Sequence, residues 1–366
     1  MSKKFYLAAG FLLLISLSLL LFCSSPKPPI KIGILLSLSG RSPELGREIR
    51  DGAFLAVEEI NSKGGIKGRK IKLIIKDTLD DLEIAKLNVY EFIKEGVVAV
   101  VGPETSTIAK ALLSLINEYK LTFISPTVSS TYFVGKDDYF ITLEPNNKKF
   151  ATVLAQYVNE KLKPKKILIF YDKRNPVYSM DLGENFVSML KGRISIKWIP
   201  IPENDIYVKD VVSFSPDALM LITDVFNASV ITQKIKKINP EIKIIICPWA
   251  RFYGFIENTG YFSEGIISIG FYDENVEDEE YLSFRKKFLR TFGYIPQSAA
   301  INGYNAILLI KEALIKGKES SSIKDIIVSL GKFKGLCGEV KINKYGDAET
   351  EPFIVIVKEN KFIRMK

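Results

Sequence analysis

The chain has 366 residues, 47% apolar and 25% charged, enough for two globular domains with a sizeable core. Its formal charge of +9 comes from lysines and arginines spread along the chain with acids interleaved, and no basic cluster carries the aromatics that nucleic-acid binding needs. It contains no histidine, which excludes histidine-based hydrolase triads and histidine zinc sites.

At the N-terminus, Lys3 and Lys4 precede an apolar run from Phe5 to Phe22, followed at once by Cys23, Ser24 and Ser25. That order predicts an export signal over residues 1–22. The leucine-rich run ending at a cysteine with a small residue behind it resembles the lipobox of bacterial lipoproteins, which implies a lipid on Cys23. Phe22 departs from the small residue usual just before that cysteine. An uncleaved membrane anchor and a plain secretory signal are the alternatives. Residues 23–29, with Pro26, Pro28 and Pro29, read as an extended tether. Cys247 and Cys337 are the other two cysteines, and their spacing alone does not pair them.

From Ile30 the pattern becomes strand, then helix, repeatedly. Short β-branched runs predict strands at "IKIGILLSL" from Ile30, "KIKLIIKD" from Lys70, "VVAVVG" from Val97 and "LTFIS" from Leu121. Between the first two, "REIRDGAFLAVEEINSKGG" places Ile49, Ala53, Ala56, Val57 and Ile60 on one helical face, and Gly64-Gly65 stops the helix. In "DTLDDLEIAK", Asp80 with Glu83 reads as a capping box, and no glycine-bearing twelve-residue calcium loop is present.

After Pro145 the theme restarts: helix "KKFATVLAQYVNEKL", strand "KILIFYD" from Lys166, a helix over about 181–190, then strands "ISIKWIP" from Ile194 and "DALMLIT" from Asp217. Helix "ASVITQKIKKI", strand "KIIICP" from Lys243 and "GIISIGFYD" follow, then an all-helical stretch over about 277–330 and short strands near 339–342 and 353–357. Alternation of this kind predicts an α/β protein with two parallel-type sheets. The late helices have no strand partner of their own, so the chain returns to cover the first sheet. The expected division is residues 30–144 and 271–350 in lobe 1, and 145–270 and 351–366 in lobe 2.

One segment carries chemistry. "VVGPETSTIAKA" runs from a strand pattern into a helix pattern, with Ser106 where the helix begins. Free amides at a helix start suit an anion. Gly102 lacks the companions of G-x-G-x-x-G, G-K-[ST] is absent, and a nucleophilic Ser106 would have no histidine base. A small ligand's carboxylate remains, with a simple helix cap at Thr105 or Ser106 as the bland alternative. The next strand also ends in small hydroxyls, Ser125-Pro126-Thr127-Val128-Ser129-Ser130, where open α/β sheets bind ligands.

The blocks "IKIGILLSLSGRSPELGREIRDGAFLAVEEINSKGGIKGRKIKLIIKDTLDD", "VVAVVGPETSTIAKA", "LTFISPTVSST", "PDALMLIT" and "INGYNAILLIKEAL" resemble the type I periplasmic binding proteins of ABC transporters, in the leucine/isoleucine/valine-binding branch. The likeness covers nearly all of the chain after Pro29. It implies two Rossmann-like lobes joined by three hinge crossovers around a cleft. It further implies that Ser106 and Ser129 donate to a ligand carboxylate, that the Thr127 carbonyl accepts from its ammonium, and that Leu45 lies near its side chain. Tyr178, on a loop of the second lobe, is the implied aromatic over the ligand. Trp249 stands at the position of the acid that pairs with the ammonium, and Asp224 at a position that is aromatic in the branch. Asp224 is therefore the expected replacement acid, with a helix cap at Asp224 and a core plug at Trp249 as the structural alternatives.

The expected function is a non-enzymatic, lipid-anchored, extracytoplasmic receptor, monomeric and without cofactor or metal. It would capture an amino acid or similar carboxylate and present it to an ABC permease. A sensory or regulatory lipoprotein of the same fold, acting through a protein partner, is the alternative.

Overall fold

A computed structural model of the chain describes residues 27–39, 43–201, 207–273, 275–317 and 322–365. The signal segment and Cys23 lie outside the described residues.

The first sheet holds five parallel strands in the order β2-β1-β3-β4-β5: β1 (Ile30–Leu36), β2 (Ile71–Asp77), β3 (Val100–Val101), β4 (Phe123–Ser125) and β5 (Phe140–Thr142). Three helices connect them: α1 (Glu44–Ser62), α2 (Leu82–Glu95) and α3 (Ser106–Tyr119). Successive residues of β1 serve opposite faces. Ile32, Ile34 and Leu36 join one apolar cluster with Ile49 and Ala53 of α1, while Leu35 joins another with Val89 of α2 and Leu112 of α3. A strand covered on both faces needs apolar residues at every position, which is why these runs are continuous rather than alternating.

The second sheet has seven strands in the order β14-β13-β10-β9-β8-β6-β7. Five are parallel: β6 (Lys166–Tyr171), β7 (Ser195–Pro200), β8 (Ala218–Ile222), β9 (Lys243–Ile246) and β10 (Ile267–Gly270). The hairpin of β13 (Phe353–Lys358) and β14 (Lys361–Arg364) adds antiparallel to β10, with Ile267 opposite Ile356. Its helices are α4 (Asn147–Tyr157), α5 (Pro176–Ser188), α6 (Tyr207–Phe214), α7 (Val225–Ile238) and α8 (Tyr253–Thr259).

The late helical stretch divides into α9 (Glu279–Phe292), α10 (Ser298–Lys316) and α11 (Ile323–Leu330), followed by the ribbon of β11 (Lys332–Gly335) and β12 (Gly338–Lys341). Helix α10 packs back onto α1 of the first lobe. The approach is backbone to backbone: a Cβ at Gly303 would stand 2.2 Å from the Ile49 carbonyl oxygen. The chain therefore passes between the sheets three times, after β5, after β10 and after β12.

Three expectations are corrected. Helix α5 begins at Pro176 rather than near residue 181, with the proline in its first turn, where a missing amide costs nothing. Tyr178 thus sits on a helix, buried, and not on an exposed loop. Asp81, not Asp80, caps α2, its carboxylate accepting from the Glu83 and Ile84 amides, while Asp80 takes a left-handed φ of 57°.

Candidate functional site

In each parallel sheet the strand order reverses beside the first strand: β1 lies between β2 and β3, and β6 between β7 and β8. Loops at the carboxyl ends of such strands diverge and leave a crevice. Here those loops face one another and line a small shared cavity of about 30 Å³, room for about one water. The segment after β1 contributes Leu45, that after β3 Glu104 and Ser106, that after β4 Thr127, and that after β5 Glu144. From the other lobe come Asn175 and Tyr178, then Pro248, Trp249 and Phe252. Ser298 and Ala299, at the start of α10, complete the wall.

The β3 loop is shaped by its backbone. Gly102 has φ of 118°, and a Cβ there would lie 2.0 Å from the Leu35 carbonyl oxygen, so only glycine fits. The loop is stitched to its neighbour: the Ser125 hydroxyl donates to the Pro103 carbonyl at 2.7 Å, and the Thr127 hydroxyl to the Glu104 carbonyl at 2.8 Å. Ser106 opens α3. Neither of the bland cap assignments holds, because the Thr105 side chain makes no capping bond and the buried Ser106 hydroxyl has no hydrogen-bond partner.

A second residue on the same cavity, Glu104, also has a buried oxygen without a partner, Oε2, while the buried Tyr178 hydroxyl has the Cys247 thiol and the Trp249 backbone beside it. Buried polar groups are nearly always paired, so two unpaired ones on residues lining a single cavity mark a place where something polar is meant to sit. Burial pushes the Glu104 carboxyl up to about 7; the Ser37 amide, donating to Oε1 at 3.1 Å, opposes this, and the charges of Asp80 and Asp77 add to it. Burial raises the Glu144 carboxyl well above the usual range, with Arg251 opposing. The Tyr178 hydroxyl is raised too, by burial and by its neighbours Cys247 and Glu144.

The remaining expected residues divide. Leu45, Thr127, Tyr178 and Trp249 meet Ser106 at the cavity; the Tyr178 and Trp249 rings pack edge to face with centroids 6.1 Å apart. Ser129 does not line it: its hydroxyl donates to Asn147 Oδ1 at 2.9 Å, and its carbonyl accepts from the Asn147 amide at 2.6 Å. Asp224 does not line it either. It caps α7, accepting from the Asn227 amide at 2.9 Å, and its other oxygen is held by the Arg174 guanidinium. Arg174 also binds Asp172, whose carboxyl it holds below the ordinary range although burial pushes the other way.

Sequence reasoning missed Glu104, Glu144 and Asn175. Each lies next to a proline in a strand-end loop, where an acid or amide reads as an ordinary solvated turn residue. Asn175 ties the lobes together: its Oδ1 accepts from the Thr107 amide at 3.1 Å and from the Thr107 hydroxyl at 3.0 Å. Asp181 does the same further along, accepting from the Thr131 amide at 2.9 Å and from Asn147 Nδ2 at 2.8 Å. The lobes are therefore closed on the cavity.

Two α/β lobes, crossed three times by the chain and closed over an interlobe polar cavity, define a type I periplasmic solute-binding protein. Residues 29–361 match the periplasmic binding protein family, and the chain belongs to it. Among curated proteins it is 29% identical over 177 residues to Leu/Ile/Val-binding protein homolog 3 of Brucella melitensis, covering 48% of this chain and 47% of that one. With Leu/Ile/Val-binding protein homolog 1 of Brucella suis it shares 23% identity over 352 residues, 91% of each chain. The chain thus spans about half the length of the former and nearly all of the latter. Among solved structures, the branched-chain amino acid transporter substrate-binding protein LivJ of Streptococcus pneumoniae, in complex with isoleucine, superposes with a TM-score of 0.83 at 22% identity, over 91% of this chain and 97% of that one. That likeness bears on the fold.

Proposed function

We propose that this protein is the receptor of an ABC importer, capturing an amino acid or a closely related small carboxylate between its lobes and handing it to a membrane permease. The observation that carries the reading is that Glu104 and Ser106, each with a buried side-chain oxygen that has no partner, line one interlobe cavity together with Tyr178. Ser106, at the first position of a fourteen-residue helix, offers a carboxylate a hydroxyl together with the partial positive charge of the helix start. Trp249 and Leu45 supply apolar wall for the rest of the solute. Closure is held by the Thr107–Asn175 and Thr131–Asp181 contacts, so a solute that touches both lobes shifts the hinge equilibrium by its differential affinity for the closed form. The related proteins named for leucine, isoleucine and valine support an amino acid as the first solute to test. No chemistry on the solute is part of this reading. Titration calorimetry of solute-free protein with amino acids and with simple carboxylates tests it; micromolar binding of at least one is expected, and no binding of any contradicts it.

The receptor is anchored outside the cytoplasm through a lipid on Cys23, the reading supported by the apolar run, the cysteine and the proline-rich tether. Label from a palmitate analogue should appear in the membrane-fraction protein and vanish in Cys23→Ala. Label that persists in that variant rejects the anchor.

A further inference from the structure

Beside the inner cavity lies a second one of about 490 Å³, and the two meet at Leu45, Glu104, Asn175 and Trp249, which line both. The inner space of about 30 Å³ has room for no more than one polar group of a solute in this closed state. The body of the solute has to run through the shared gate, with Leu45 from one lobe and Trp249 from the other as apolar walls.

The charges along that route are unequal. On the first lobe stand Glu104, at the gate, and Asp80, in the outer cavity, with Asp77 close enough to both to raise their carboxyls. On the inner side stands Glu144, opposed by Arg251, which itself reaches Ser298 at 3.2 Å. The second lobe contributes Arg174 to the outer cavity, but its guanidinium is already held by Asp172 and Asp224 and lies 5.9 Å from the Trp249 ring centroid. Glu104 is 4% exposed, one of its oxygens is taken by the Ser37 amide, and the other has no partner. A buried carboxyl with a free oxygen on the solute's path is costly unless the solute brings a donor, and a cationic donor makes the strongest hydrogen bond.

Resting on the amino-acid reading above, we infer that the solute is a basic amino acid whose carboxylate sits at Ser106, whose methylenes pass between Leu45 and Trp249, and whose side-chain ammonium is received by Glu104 with Asp80 beyond it. Glu104 is then the residue that sets specificity, since the same position in front of an aliphatic side chain would leave its carboxyl unpaired. Near neutral pH a carboxyl pushed up to about 7 carries a proton in part of the molecules. Arrival of the ammonium stabilises the carboxylate, and that proton passes to the buffer.

The test is calorimetry on the full chain, purified in detergent and stripped of solute, with L-lysine, L-leucine and benzoate at pH 7, in two buffers of different ionisation enthalpy. Lysine is expected to bind at least tenfold more tightly than leucine and to release a fraction of a proton. Glu104→Gln, and more weakly Asp80→Asn, should erase the preference, and Glu104→Gln should also reduce the proton release, at unchanged or higher melting temperature. Leucine binding as tightly as lysine, or a preference that survives both substitutions, overturns the inference and leaves the amino-acid reading standing. Benzoate binding with neither amino acid bound overturns the inference and moves the receptor reading to its simple-carboxylate form, and failure of lysine to bind overturns the inference whatever the other solutes do.

Discussion

The Ser37 amide donates to Glu104 Oε1 at 3.1 Å, joining the end of β1 to the loop after β3 and leaving Oε2 buried and alone. This geometry gives the protein a pH-dependent stability whose sign is set by the raised carboxyl. Below about pH 4.5 Glu104 is protonated in both folded and unfolded chains. Between there and about 7 the unfolded chain gives up its proton first, so the folded state loses ground, and the loss is complete above 7.

Its size is on the order of 3 kcal/mol, about 1.4 kcal/mol for each unit that burial moves the carboxyl. Denaturant titrations of solute-free protein from pH 4.5 to 8 should show Glu104→Gln gaining stability on the wild type by about that amount toward pH 8. The buried Glu144 adds a loss of the same sign in both proteins, so the difference between them isolates Glu104.

Ser106 and Ser129 are chemically alike but should respond differently to alanine. The Ser106 hydroxyl has no partner in the protein, so Ser106→Ala should leave the melting temperature alone and weaken solute binding by about 1.5 to 3 kcal/mol, the scale of a hydrogen bond to a charged group. The Ser129 hydroxyl is committed to Asn147 at the first crossing between lobes, so Ser129→Ala should cost about 1 kcal/mol of stability. Calorimetric affinity and thermal unfolding, measured on both variants, separate the two roles.

Asp224 is a helix cap paired with Arg174, and its replacement should be felt as stability. Loss of the cap costs about 1 kcal/mol. The ion pair adds little, because the Arg174 side chain is 37% exposed and solvent screens it. Asp224→Ala should therefore lower stability by about 1 to 2 kcal/mol while leaving unchanged the ratio of affinities for an amino acid and its des-amino analogue. A large change in that ratio would restore Asp224 as the partner of the solute's ammonium.

Most of the architecture was legible because the strands are buried on both faces and read as short, nearly continuous apolar runs, as in "IKIGILL" and "ALMLI". The return of the chain to its first lobe followed from helices that had no sheet of their own. Less was legible where local chemistry admits two neighbours for one role. Asp80 and Asp81 both suit a helix start, and only the backbone φ decides between them. Short elements such as β5, three residues long, carry too little pattern to register. In the site, the hydroxyls of the strand-end loops pointed to the cleft, yet Ser106 and Ser129 differ by whether a distant asparagine claims the hydroxyl. Glu104 and Glu144 were invisible for a related reason. Nothing in "VVGPET" or "ITLEPN" says that the acid is buried, because burial there comes from segments distant in the sequence that line the same cavity.

The central claim is that the polar cavity between the lobes holds a small solute. Mass spectrometry of whatever is released on denaturing the freshly purified protein tests it most directly. The account predicts one amino acid at close to one equivalent, with the amount sharply reduced in Ser106→Ala. Protein that emerges empty from every preparation, and that takes up no amino acid or carboxylate when these are supplied, would contradict it.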